Sequence, residues 1–224
     1  MNKKILAIGA IMMIMASYMA TFQILNIRPM TPLNVPIRVA CVGDSITQGS
    51  GYPAKLQMLL GTNYLVGNFG VAGTTVSLNS TSPYMNQTAF QKAEEFNPNY
   101  VVIMLGTNDA RTDENESSET FEADYSELVS SFQNLTSNPQ IFVVDSPPIF
   151  TDNPNYNGTY LADNVIPQID SVASNLNLPT VNVYGAFGNQ SNYFMDGVHP
   201  DPDGATLIAS EVDNAIIGQE NPNP

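Results

Sequence analysis

The sequence predicts an α/β protein, a three-layer α/β/α sandwich around a five-stranded, mainly parallel, flavodoxin-like sheet. Three observations predict it. From residue 37 onward, short apolar runs alternate with stretches of helical periodicity, the order expected of parallel strands joined by crossover helices. Several apolar runs end on glycine and small polar residues, and open α/β sheets bind ligands just beyond the carboxyl ends of their strands. The region is also long enough, at about 180 residues, for one domain with a full core.

The elements follow in order. Lys3 and Lys4 precede an uncharged run from Ile5 to Leu25, the layout of a secretory signal or a single membrane anchor. Residues 1–28 are read as one of these. The run is long for a signal peptide, and the sites for cleavage are poor, which tips the reading slightly to an uncleaved anchor. In both cases the leading lysines favour a cytoplasmic amino terminus and an exported domain, either secreted or held at the cell surface. Residues 29–36 contain Pro29, Pro32 and Pro36 and read as a stalk. The domain proper spans 37–217, and the polar Pro/Asn stretch 218–224 reads as a disordered tail.

Within the domain, strands are expected at 37–42, 64–68, 100–105, 140–145 and 180–183, and helices near 52–60, 87–96, 118–135, 160–176 and 203–217. Phe121, Tyr125, Leu128, Val129 and Phe132 recur at helical spacing and belong to the core. Cys41, the single cysteine, lies inside the first strand and reads as a small buried hydrophobe. The irregular stretch 146–160 follows a strand end. It either lines a cleft or is a plain surface loop, two readings that the sequence leaves open.

Composition excludes some functions. Seven basic residues against 21 acidic ones give a net charge of −14. Such a surface repels phosphate backbones, so no nucleic-acid partner is expected, and it favours solubility. Asp113, Glu114, Glu116, Glu119 and Glu122 cluster about the start of a helix, where the helix dipole favours negative charge. They lack the ligand order of a calcium loop, and no metal or cofactor is expected. One histidine cannot supply the ligands of a metal-dependent phosphoesterase.

That single histidine, His199, lies in Asp196-Gly197-Val198-His199-Pro200. Histidine is the usual proton acceptor at neutral pH. A serine, Ser45, sits in Gly43-Asp44-Ser45-Ile46-Thr47 at the end of the first strand. Serine, histidine and a carboxylate such as Asp196 are the parts of a nucleophilic hydrolase. Such chemistry also needs donors for an oxyanion. Gly73, in Gly70-Val71-Ala72-Gly73-Thr74-Thr75, can present its N–H at close approach, and Asn108, in Gly106-Thr107-Asn108-Asp109, can offer a side-chain amide. The α/β-hydrolase elbow G-x-S-x-G is not met, because position 47 is Thr47.

Taken together, GDSIT at 43–47, NFGVAGTT at 68–75, GTND at 106–109 and DGVHP at 196–200 resemble the SGNH (GDSL-type) esterase/acylhydrolase superfamily. The four blocks occur in the family's order and cover nearly all of the domain, with Ile46 standing where the name-giving motif has leucine. The resemblance implies Ser45 as nucleophile and His199 as general base held by Asp196. It implies an oxyanion hole of the Ser45 backbone N–H, Gly73 and Asn108. Tyr52-Pro53, Leu56-Gln57, Leu59-Leu60-Gly61 and Asn68-Phe69-Gly70 look most like the sialate O-acetylesterase-like and carbohydrate-esterase branches. The implied activity is hydrolysis of short-chain, chiefly acetyl, esters on a carbohydrate or other small molecule. The alternatives are a lysophospholipase or thioesterase with the same triad, and a catalytically silent glycan-binding module on this fold.

Overall fold

The computed structural model describes residues 35–113 and 118–220. The expected signal or anchor at 1–28 and all but the last two residues of the stalk lie outside them. Among the described residues, no helix is long and apolar enough to cross a membrane.

The strands are β1 (Ile37–Gly43), β2 (Tyr64–Gly70), β3 (Tyr100–Met104), β4 (Gln140–Val144) and β5 (Thr180–Val181). They form one sheet in the order β2-β1-β3-β4-β5, and every pairing is parallel. The chain therefore passes from β1 to one side and then returns to the other, which makes the β1/β3 boundary the topological switch point where such sheets bind ligands. The register brings three strand ends level: Gly43 of β1 pairs with Gly70 of β2 and with Met104 of β3.

Strand side chains alternate between the two faces, as a pleated strand requires. Val42, Val101, Ile103, Ile141 and Val143 point to one face. There they meet α3 (Thr88–Glu95), α4 (Ser118–Gln133) and α5 (Ile166–Asn175) through Phe90, Leu128, Phe132 and Ile169. Val39, Cys41, Val102, Phe142 and Val144 point to the other face. They meet α2 (Tyr52–Leu60), α6 (Val183–Phe187) and α7 (Pro202–Glu220) through Leu56, Phe187, Ile208 and Val212. The core helix stripe expected on α4 is fully buried. Cys41 is buried, and burial pushes its thiol up to about 12, against a hydrogen bond with Tyr52.

Four differences from the sequence reading have physical causes. A short helix, α1 (Ser45–Gly49), was not expected, because five residues carry no helical period. The expected helix at 160–176 is broken into a turn at Gly158–Tyr160, a π-helical stretch at Leu161–Val165 and then α5. Pro167 has no N–H for the ladder, and the wider turn absorbs the mismatch. Strand β5 stops at Val181 because the Asn182 side chain caps α6 by accepting from the Gly185 N–H at 2.5 Å. Gly218 to Glu220, expected in the tail, belong to α7, and residues 221–224 lie outside the described residues.

Candidate active site

β1 delivers the chain to a sharp turn. A Cβ at Gly43 would lie 2.0 Å from Thr47 Oγ1 and 2.6 Å from the Met104 carbonyl, so only glycine lets β1, β3 and α1 meet this closely. Asp44 then caps α1, its Oδ1 accepting the Ile46 N–H at 2.9 Å, and Ser45 begins the helix half-buried at the strand end.

Ser45 Oγ lies 2.9 Å from His199 Nε2, and His199 Nδ1 lies 2.8 Å from Asp196 Oδ2. The other Asp196 oxygen accepts from the N–H groups of Val198 at 2.9 Å and His199 at 2.7 Å. Burial alone would raise the Asp196 pKa, but the backbone and ring donors of His199 and the Val198 N–H outweigh it and hold the carboxyl at about 2. The turn is closed by Met195 N–H donating to the His199 carbonyl at 2.9 Å. Gly197 sits at φ +81°, and a Cβ there would meet Thr151 N at 2.7 Å. Residues 154 positions apart in sequence thus form one hydrogen-bonded line.

The loop after β2 is fastened to the serine turn. Val71 N–H donates to the Gly43 carbonyl at 2.9 Å, and Ala72 N–H donates to Gln48 Oε1 at 3.0 Å. Asn68 holds the other side, its amide donating to the Thr47 carbonyl at 2.9 Å. Gly73 follows in the left-handed region at φ +78°. Among the described residues, neither its N–H nor that of Ser45 has a hydrogen-bond acceptor. Asn108, buried beyond β3, donates through Nδ2 to the Thr74 carbonyl at 2.9 Å. The same nitrogen is 3.5 Å from Asp44 Oδ2, a distance too long for a strong bond. One amide hydrogen orients the side chain, and the other remains for a ligand atom.

Every site residue expected from the sequence therefore stands on one of four loops at the carboxyl edge of the sheet. Two contributors went unnoticed. Asp109 is buried, and its carboxylate accepts from Val76 N–H at 3.0 and 3.1 Å and from Ser77 N–H at 3.1 Å, tying the Gly73 loop to β3. Burial pushes Asp109 up to about 7 against those donors, and it pushes Asp44 up to about 6 against the Ile46 N–H and the charge of His199. Both aspartates adjoin a residue the sequence did single out, which is the only sequence signal they carry.

The stretch 146–160 is fastened through its backbone to two of the loops that carry the site. Phe150 N–H donates to the Gly197 carbonyl at 2.7 Å, and Asn157 N–H donates to the Ala110 carbonyl at 3.1 Å. The acidic cluster is only partly visible: Asp113 pairs with Arg111 at 2.9 Å, while Glu114 and Glu116 lie outside the described residues. Among the described residues, no group of three or more histidine, cysteine or acidic side chains could hold a metal ion.

The strand order and the loops at its carboxyl edge define a class, the doubly wound α/β proteins of flavodoxin-like fold. The chain belongs to the GDSL-like lipase/acylhydrolase family, whose model matches residues 41–207. It is 31% identical over 211 residues to an acetylxylan esterase of Xylanibacter ruminicola, a match that covers 83% of this chain and 44% of that protein. This chain thus spans less than half of that relative's length. Among solved structures it is similar to a carbohydrate acetylesterase from Sinorhizobium meliloti, with a TM-score of 0.68 at 16% identity over 82% of this chain and 100% of the other. A lipase/acylhydrolase from Enterococcus faecalis gives a TM-score of 0.64 at 22% identity over 82% and 96%. These two structures establish the shared fold.

Proposed function

We propose that the protein is a serine esterase that removes acetyl groups from carbohydrate, with Ser45 as nucleophile. The observation that carries this reading is the line from Ser45 Oγ through His199 to Asp196, at 2.9 and 2.8 Å. The acetyl and carbohydrate parts draw support from the acetylxylan esterase relative and from the expectation of short acyl groups.

In this reading His199 Nε2 takes the Ser45 proton as Oγ attacks the ester carbonyl. The carbonyl oxygen becomes an oxyanion facing the N–H groups of Ser45 and Gly73 and the free amide hydrogen of Asn108. The alcohol leaves with the proton that His199 returns, and the acetyl group stays on Ser45. A water then repeats the sequence: it gives a proton to His199, attacks the acyl carbonyl, and releases acetate and free Ser45. Asp196, already ionised, fixes the ring with its proton on Nδ1 and stabilises the imidazolium. On the layout of its first 28 residues, the domain works outside the cytoplasm.

The test combines labelling and turnover. Phenylmethylsulfonyl fluoride should add one sulfonyl group at Ser45, read by peptide mass, and Ser45→Ala should abolish it. The same variant should lose about four to six orders of magnitude in hydrolysis of aryl acetate while keeping its fold. No labelling and no turnover by the wild-type protein would favour the silent glycan-binding module. A series of nitrophenyl esters from acetate to laurate decides acyl length, and faster turnover of octanoate or longer would favour the lysophospholipase or thioesterase reading.

A further inference from the structure

The segment from Ile149 to Asn157 is a strap whose two ends are fixed to different catalytic loops. At its start, Phe150 N–H donates to the Gly197 carbonyl, within the turn that carries Asp196 and His199. The Phe150 ring packs edge-on against Phe194, with centroids 5.2 Å apart. At its end, Thr112 N–H donates to the Asn155 carbonyl at 3.1 Å, and Arg111 and Tyr156 form an antiparallel bridge. That bridge lies just beyond Asn108. The neck is closed as well, because a Cβ at Gly158 would lie 2.6 Å from the Ile149 carbonyl. Such a compact, self-packed loop is the kind that carries function.

Tyr156 is half-buried, as are Ile149, Phe150, Thr151 and Asn157 of the same strap. Beyond its burial, its hydroxyl feels the charges of Arg111, Asp44, Asp196 and Asp113. The Arg111 bridge sets Tyr156 beside the turn that carries Asn108, and the other end of its strap is fastened to the Gly197 turn between Asp196 and His199. No step of the acyl transfer uses Tyr156. A tyrosine in that place offers an apolar ring face and a polar tip, and an aromatic face packs against the C–H face of a pyranose.

The geometry points to Tyr156 as the residue that recognises the alcohol part of the substrate, by packing on a neutral sugar ring. This rests on the esterase reading above and names the part of the substrate that the triad leaves undetermined. Neutrality follows from charge. Arg111, the cation beside Tyr156, is already paired with Asp113 at 2.9 Å, and the chain carries a net charge of −14. An anionic sugar would meet Asp196 and Asp113, and Arg111, the cation beside Tyr156 among the described residues, is engaged by Asp113.

The experiment compares two acetate esters, methyl tri-O-acetyl-xyloside and ethyl acetate, whose alcohol is too small to reach across the cleft. The readout is the ratio of their kcat/KM values. Tyr156→Ala should lower the ratio in favour of the sugar by about tenfold, chiefly through KM of the sugar ester. Tyr156→Phe, which keeps the ring, should restore most of it. Circular dichroism checks that each variant is folded. An equal loss on both esters leaves the ratio unchanged and overturns the assignment, because Tyr156 would then only brace the strap. An O-acetylated sialic acid hydrolysed faster than the xyloside by the wild type would overturn the neutral-sugar part. No turnover of either simple acetate by the wild type, with Ser45 inert to sulfonyl fluoride, would instead overturn the esterase reading itself.

Discussion

Two strand ends of the same sheet treat a buried aspartate in opposite ways. Beyond β3, both oxygens of Asp109 accept backbone N–H groups from the neighbouring loop. Beyond β4, Asp145 is 3% exposed, yet its Oδ1 and the adjacent Ser146 Oγ have no hydrogen-bond partner among the described residues. Burying a polar group costs free energy unless it is hydrogen-bonded. The first carboxylate turns that cost into a fastening for the loop that presents Gly73. The second ties down no loop through Oδ1, and its burial is felt as a pKa raised to about 7, with the charge of Asp170 adding to it. The sheet edge is thus braced at the switch point and left polar but unbraced one strand further on.

The largest effect should fall at the braced end, on the group that faces the oxyanion in the proposed reaction. Asn108→Ala removes the amide aimed past Thr74 and should lower kcat by about two to three orders of magnitude, with a smaller change in KM, because the oxyanion forms mainly in the transition state. A variant that loses thermal stability but keeps kcat would reduce Asn108 to a tie for its turn, and the braced end to scaffolding.

Asp109 sharpens the comparison by a step. Asp109→Ala strands two buried N–H groups, each costing roughly 1–3 kcal/mol, and should lower Tm by several degrees, at roughly 2–4 °C per kcal/mol. If the carboxylate positions the Gly73 loop, kcat should also fall about tenfold with KM little changed. Asp109→Asn keeps one acceptor oxygen and should recover part of both losses. A fall in Tm with kcat intact would make Asp109 a purely structural clamp.

The contrast also explains what could be read in advance. All five strands lie within two residues of expectation at both ends, because each is a short apolar run bounded by Gly, Pro or Asn. The site residues were legible for another reason. Ser45, Gly73, Asn108 and His199 each sit where an apolar run breaks into small polar residues, and the chemistry needs those residue types. Asp109 was illegible because its hydrogen bonds reach a partner 33 positions away, Val76, a pairing no local pattern encodes. The break before α5 had a visible cause in Pro167, but the hydrophobic period ran through it and masked it.

The smallest expected effect is at the unbraced end, and its sign follows from linkage. The Asp145 pKa stands at about 7 in the folded protein, against roughly 3.9 for an unfolded aspartate. Between those values the native state holds a proton that the unfolded chain has released. Stability from this group is therefore complete below about pH 4 and is lost as pH rises through 7. Asp44 and Asp109, also raised by burial, act in the same direction. The wild-type protein should accordingly melt markedly lower at pH 8 than at pH 5. Asp145→Asn carries no titrating proton and should flatten roughly a third to a half of that slope. Because Asp145 is not among the groups that face the substrate, kcat at pH 7 should stay within about twofold. The measurement is a pair of melting curves across this pH range for the two proteins. A slope identical in both would mean that Asp145 is ionised in the folded state at pH 5, with Oδ1 solvated or bonded, and the two strand ends would then differ far less than their hydrogen bonds suggest.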